Sequence, residues 1–250
     1  MNKLFIKDLV ASKSEHIQLK KATIKQTDSI GVTESASKSI KYDNTDDLEN
    51  GVITRKFAAN TYNWLDSHGD VHIDGVFTKS INENKNILHL HDHIFTLESK
   101  VGSIKSIDEV SISWSDLGVD KEGYTTVLLP TSEIKKGYNP KIYNQYLNKE
   151  IQQHSVGMQY VDMFLCVNDA DYEDEYKAWI KYSPKVGNIE KAISQGYFWA
   201  ITTAKLIEIS CVIAGSNELT GTFEPSTEPS KDTQDDTQLY KYLVENFKLK

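Results

Sequence analysis

Apolar and polar residues alternate over several long stretches of the chain. GVITRKFAANTYNWLD from Gly51, VGSIKSIDEVSISW from Val101, GYTTVLLPT from Gly123 and HSVGMQYVDMFLCV from His154 each predict a β-strand, because successive side chains of a strand point to opposite faces. YFWAITTAKLIEISCVIAG, from Tyr197, predicts two closely spaced strands. The pattern is therefore typical of a strand-rich domain.

Helical spacing is clearest in NPKIYNQYLNKEIQQ, which begins at Asn139. An Asn-Pro pair is typical of a helix start. The apolar residues that follow at helical spacing are Ile142, Tyr143, Tyr146, Leu147 and Ile151. We expect this helix to lead into the strand at Gln152 to Val161. EDEYKAWIKYSPK and NIEKAISQG predict irregular or helical connections.

Both ends of the chain differ in composition from the middle. Residues 1 to 50 are rich in Ser, Thr, Lys and Asp, which predicts a short ordered piece followed by a mobile segment. Residues 222 to 238 are rich in Pro, Ser, Thr, Glu and Asp and predict a disordered linker, and LYKYLVENFKLK after them predicts a short amphipathic helix. The expected organisation is a polar extension at 1–50, one domain at 51–221, and a linker with a C-terminal helix at 222–250.

Charge and cysteine content narrow the class of protein. A formal net charge of −8 argues against non-specific binding to nucleic acid, which needs a basic surface. Cys166 and Cys211 lie in apolar runs, so we expect buried free thiols and a reducing, intracellular setting. No stretch approaches the roughly 18 apolar residues of a membrane span. We expect a protein that is soluble, not secreted, and without a cofactor.

Ser155 is the candidate nucleophile, since it follows the predicted helix and precedes Gly157 on the same face of a strand. A serine hydroxyl needs a general base within hydrogen-bond reach, and that base needs a third group to orient it. The adjacent His154 should point to the opposite face. Gly157 should leave room for the backbone of a substrate.

The better source of a base is NILHLHDHIF, whose alternation places His89, His91 and His93 on one face of a strand. H-X-H-D-H resembles the first metal-binding motif of metallo-β-lactamase-like hydrolases, H-X-H-X-D-H, but lacks one residue. After His93 only His154 remains, so a dinuclear site would have too few ligands. Either one of the three histidines is a general base, or the cluster binds a metal. The loop DSHGDVHIDGVF offers further metal ligands, although a solvated acidic loop is the expected outcome.

Four segments together resemble one family, the caudovirus prohead maturation proteases. DSHGDVHIDGVF is similar to the family's Asp-X-X-Gly-Asp-X-X-X-X-Gly-X-Phe segment, and ILHLHDH to its Leu-X-X-His-Asp segment. HSVGMQY resembles its Ser-Ile-Gly-Phe segment, and LIEISCVIAGSN its Leu-X-Glu-Val-Ser-X-Val-X-X-Pro-Ala-Asn segment. The segments occur in the same order, over about residues 53 to 217.

The resemblance implies an α+β fold, a mainly antiparallel β-barrel surrounded by helices, like that of the herpesvirus assemblins. It implies a serine endopeptidase with Ser155 as nucleophile, His91 as base and Glu208 as third member, without a metal. The implied substrates and partners are scaffold protein and the major capsid protein or its scaffold segment, with self-cleavage a further option. The implied location is the host cytoplasm, inside the procapsid. No nucleic-acid or membrane partner is expected, and a homo-oligomer is possible.

Two other functions stay open from the residues alone. One is a catalytically inactive capsid or scaffold component with the same fold. The other is a metal-dependent hydrolase that uses His89, His91 and His93.

Overall fold

The computed structural model describes residues 3–24, 41–84 and 86–225. Residues 25–40 of the mobile segment expected before residue 50 lie outside the described residues. So does the tail from residue 226, which holds most of the expected linker and the expected C-terminal helix. Within the described ranges the chain forms eight strands, six α-helices and two 3-10 helices. No helix in these ranges is both long and apolar enough to cross a bilayer.

The strands account for most of the regular structure. They are β1 (Val52–Lys56), β2 (Asn60–Thr61), β3 (Asp70–His72), β4 (Leu88–His91), β5 (Lys100–Ser113), β6 (Tyr124–Lys135), β7 (Gln153–Val167) and β8 (Tyr197–Val212). The helices are α1 (Lys3–Ala11), α2 (Lys13–Ala22), α3 (Thr78–Glu83), α4 (Pro140–Leu147), α5 (Glu173–Tyr182) and α6 (Ile189–Gln195), and the 3-10 helices are Ser115–Leu117 and Ser183–Lys185.

The eight strands form one mixed sheet in the order β1-β6-β5-β4-β8-β3, with β2 also paired to β6 and β7 to β8. Most pairings are antiparallel, but β3 and β4 run parallel to β8. The mixed α and β content is as expected. Among the described residues the strand order does not close on itself, so the expected closed barrel is not observed. The sheet curls far enough to bring β2 beside β7 without a ladder between them.

β7 and β8 are the longest pair in the sheet. The expectation of two strands from Tyr197 onwards is wrong, since β8 is one strand of 16 residues. Its exposed Lys205 alternates with the buried Ala204 and Leu206, which is the pattern of a continuous strand with one partly exposed face. Its ladder with β7 contains three register shifts, which do not interrupt the strand.

α4 begins where its sequence predicts, but it ends at Leu147, before Ile151 of the predicted apolar face. The side chain of Asn139 accepts a hydrogen bond from the backbone N–H of Ile142 at 3.1 Å, and Pro140 occupies the first turn. Tyr143 and Tyr146 are buried, so the apolar face of the helix packs on the sheet. The chain then enters β7, as expected.

Parts of both predicted extensions belong to the folded body. Ile6 and Leu9 of α1 are buried in the main core, and Lys20 of α2 bonds the buried Asp70 at 2.6 Å. Phe223 is fully buried, so the packed chain continues beyond residue 221. The ordered piece expected near the start of the chain is therefore present, and it extends through α2.

Candidate active site

The β7–β8 ladder sets the position of Ser155. Ser155 lies opposite Ser210, and Gly157 lies opposite Glu208. Directly opposed residues of an antiparallel pair project from the same face of the sheet, as do residues two apart on one strand. The four residues therefore share one face, with the Ser155 hydroxyl and the Glu208 carboxyl on neighbouring strands.

Glu208 fills the space beside Gly157. A Cβ atom at position 157 would lie 2.0 Å from Glu208 Oε1 and 2.7 Å from its Cδ, which is far inside ordinary contact distance. The expectation that Gly157 leaves room for a substrate is therefore corrected. The missing side chain lets the Glu208 carboxyl lie against the β7 backbone.

His93 is the histidine that bonds Glu208. Its Nδ1 lies 2.5 Å from Glu208 Oε1, and its backbone N–H donates to Ser210 Oγ at 3.1 Å. The Ser210 hydroxyl donates to the other carboxyl oxygen, Glu208 Oε2, at 2.7 Å. His93, Glu208 and Ser210 thus form a closed set of three hydrogen bonds on the face that carries Ser155.

The backbone at the end of β4 explains why His93 reaches this position. β4 ends at His91, and Asp92 and His93 follow with φ angles of 51° and 56°. The left-handed region costs about 1 to 2 kcal/mol per residue for side chains other than glycine. The alternation expected through His93 is therefore wrong, because two left-handed residues turn the chain before His93 could take its place on the strand.

His91 does not take the place that the resemblance implied for it. Its Nδ1 lies 3.1 Å from Asp92 Oδ2, and its side chain is 22% exposed. The expected pairing of His91 with Glu208 is corrected to a pairing of His93 with Glu208. The catalytic role of either histidine stays a prediction.

His89 and His154 lie on the side of the sheet opposite Ser155, beneath α4. His89 Nδ1 bonds Ser132 Oγ at 2.7 Å, and His154 Nε2 bonds the Tyr146 hydroxyl at 2.9 Å. Phe57 stacks on the His154 ring with 3.8 Å between centroids. Burial lowers the pKa of His89 to about 3 and holds the pKa of His154 well below its usual value. Both are neutral core residues, and His154 points to the face opposite Ser155, as expected.

The histidines do not converge as metal ligands would. His89, His91 and His93 each have a different bonding partner, namely Ser132, Asp92 and Glu208. Across the described ranges no three histidine, cysteine, aspartate or glutamate side chains form such a group.

The expectation of a solvated acidic loop holds for only part of DSHGDVHIDGVF. His68 and Asp74 are exposed, but Asp66 and Asp70 are buried. Asp66 Oδ1 accepts the backbone N–H groups of His68 and Asp70 at 2.8 and 2.9 Å, so the carboxyl closes the turn that begins β3.

The candidate site is closed. Ser155, His93 and Glu208 are 4%, 6% and 0% exposed. The gap lined by Ser155, Asn60 and Asn217 does not admit a water molecule. A substrate could reach the hydroxyl only if the segments around it move.

Comparison with protein-family models, with curated proteins and with solved structures found no match. The function must therefore be inferred from the chemistry of the site. Ser210, which links two members of the site, was not predicted. Its signal in the sequence is its position two residues after Glu208, where a strand places the next side chain on the same face.

Proposed function

We propose that this chain is a serine endopeptidase with Ser155 as nucleophile, His93 as general base and Glu208 as the residue that orients the base. The observation that supports it is the His93 Nδ1 to Glu208 Oε1 bond on the face of the sheet that carries Ser155. A carboxylate on Nδ1 sets the tautomer of an imidazole and stabilises its protonated form. With Ser155 on the same face, the three side chains have the chemistry that the roles of a serine-protease triad require.

The reaction would be acyl transfer. His93 Nε2 takes the proton as Ser155 Oγ attacks the carbonyl carbon of the scissile bond, and the carbonyl oxygen becomes an oxyanion. The carbon–nitrogen bond then breaks, and His93 returns the proton to the departing amine. Water attacks the acyl-enzyme by the same route, releasing the acid and restoring the Ser155 hydroxyl.

The proposed biological role is maturation of a phage prohead, by cleavage of scaffold protein or of the scaffold segment of the major capsid protein. The support is the order of the four segments that resemble the prohead proteases. Two of these segments supply Ser155 and Glu208, and a third ends at His93. The assemblin-like barrel is proposed on the same ground, and the curl that brings β2 beside β7 is compatible with it.

The closed site favours a second candidate, a shell or scaffold component that keeps the fold without turnover. In that case the His93 to Glu208 bond would only stabilise the packing of the loop after β4. The two candidates differ in one respect, which is whether Ser155 forms a covalent acyl-enzyme.

Incubation of the full chain with its capsid and scaffold proteins tests the proposal. We expect cleavage products with the natural chain and none with Ser155→Ala, since loss of a nucleophile costs several orders of magnitude in rate. Glu208→Gln should reduce the rate less than Ser155→Ala does. The matched control is Ser111→Ala, a substitution at an exposed strand position, which should cleave normally. Equal cleavage by Ser155→Ala and the natural chain would exclude the proposed mechanism.

A further inference from the structure

Ser210 makes hydrogen bonds to two members of the proposed triad at once. Its hydroxyl donates to Glu208 Oε2 at 2.7 Å and accepts the backbone N–H of His93 at 3.1 Å. Its position on β8, opposite Ser155, is set by the β7–β8 ladder. One fully buried hydroxyl therefore fixes both the carboxyl that orients the imidazole and the backbone that carries it.

The backbone of His93 needs such a restraint. Asp92 and His93 are consecutive residues with positive φ angles, and this conformation is unfavourable for both of them. Asp92 N–H bonds Cys211 O at 3.0 Å, and the next N–H, that of His93, bonds Ser210 Oγ. Without the hydroxyl, the second of these anchors is lost.

The position of the Glu208 carboxyl also depends on the Ser210 hydroxyl. Its two oxygens accept from two different donors, His93 Nδ1 and the Ser210 hydroxyl. A carboxyl held at both oxygens cannot rotate about its terminal bond without breaking a hydrogen bond. Loss of the Ser210 hydroxyl would leave it held on one side only, in a fully buried position.

We propose that Ser210 is a positioning residue of the catalytic unit, which holds the His93 imidazole and the Glu208 carboxyl in register with Ser155. This inference rests on the proposed function. Ser210 does not take part in proton transfer, so its loss acts on the geometry of the base. We expect Ser210→Ala to lower kcat about tenfold or more while KM changes less than twofold.

Ser132→Ala is a matched control for this substitution. Ser132 is also a fully buried strand serine. Its hydroxyl bonds the ring of a histidine, His89, whereas the hydroxyl of Ser210 bonds the backbone N–H of one, His93. His89 lies on the other side of the sheet from the site, so a general effect of removing a buried serine should appear equally in both variants. Only Ser210→Ala should change kcat.

A second measurement reads the position of His93 without any substrate. In protein labelled with ¹⁵N-histidine, the imidazole Nδ1–H that bonds Glu208 should give a slowly exchanging signal, assigned as the one missing from His93→Gln. Ser210→Ala should remove this signal or make its exchange at least tenfold faster, whereas Ser132→Ala should leave it unchanged. Ser210→Cys keeps a weak donor and should have an intermediate effect, which covers the case in which Ser210→Ala does not fold.

The outcomes separate the two proposals. An unchanged signal in Ser210→Ala, or an equal loss in Ser132→Ala, would overturn the positioning role whatever the proteolysis assay shows. A lost signal in Ser210→Ala alone supports the positioning role. Cleavage that persists in Ser155→Ala would instead overturn the proposed function. The NMR result would then still show that Ser210 holds His93 in place.

Discussion

Gly157→Ala is the sharpest test of how closely β7 packs against Glu208. The added Cβ would lie 2.0 Å from Glu208 Oε1, 2.7 Å from Cδ and 2.8 Å from Cγ. Carbon and oxygen atoms in ordinary contact lie about 3.5 Å apart, so the carboxyl would have to move by more than 1 Å. A shift of that size breaks its bonds to His93 and Ser210.

The cost of this substitution can be worked out from those two bonds. Hydrogen bonds to charged groups contribute about 1.5 to 3 kcal/mol each, and removing a glycine from a strand returns about 0.5 to 1 kcal/mol. We therefore expect Gly157→Ala to lower the free energy of unfolding by about 2 to 5.5 kcal/mol. For a chain of this size the melting temperature should fall by roughly 4 to 22 °C, at about 2 to 4 °C per kcal/mol.

Urea denaturation followed by circular dichroism measures this change. Gly137→Ala is the matched control, because a Cβ there would meet nothing within 4 Å; it should be neutral or stabilising by up to about 1 kcal/mol. The cost of Gly157→Ala should fall below about 1 kcal/mol when Glu208 is also replaced by alanine, because the clash partner is gone. If the free energy of unfolding of Gly157→Ala lies within about 0.5 kcal/mol of that of the unsubstituted chain, the close approach of Glu208 is refuted.

Three further expectations concern the histidines and one thiol. His93→Ala should abolish cleavage while His91→Ala keeps it, as measured with the scaffold substrate; the reverse result would restore His91 as the base. The unfolded chain protonates His89 and His154 below about pH 6.5 and the folded chain does not, so stability should fall by about 2 kcal/mol per histidine between pH 7 and pH 5. In urea titrations at the two pH values, replacing His89 by glutamine should remove its share of that dependence. Burial raises the pKa of the Cys211 thiol from 9.0 to about 12, so its reaction with a disulfide reagent at pH 8 should be at least about a thousandfold slower in the folded chain than in urea.

Periodicity and capping in the sequence were enough to predict much of the local structure. α4 begins at its Asn-Pro pair, and the strand that carries Ser155 follows it, because both features depend on residues within a few positions of each other. The free, buried state of Cys166 and Cys211 also follows from the apolar runs around them. In each case local chemistry and tertiary structure favour the same conformation.

The identity of the histidine beside Glu208 depended on the tertiary structure. Alternation in NILHLHDHIF predicts a strand through His93, and nothing local shows that it ends at His91. The turn is held by Glu208 and Ser210, 115 and 117 positions away in sequence. Contacts over such separations can stabilise two left-handed residues that local preference disfavours.

For Gly157 and the acidic loop too, the sequence predicts one environment and the tertiary structure decides another. The sequence predicts that a glycine leaves space, but only the packing of β8 against β7 determines that Glu208 fills it. Likewise, the aspartates of DSHGDVHIDGVF predict a solvated loop. Two of them are buried in the fold, where Asp66 accepts backbone N–H groups of its own turn and Asp70 bonds Lys20 of α2. The sequence by itself determined which segments are strands and which residues could carry the chemistry. The folded arrangement decided which of those residues meet, because that depends on long-range packing and not on local pattern.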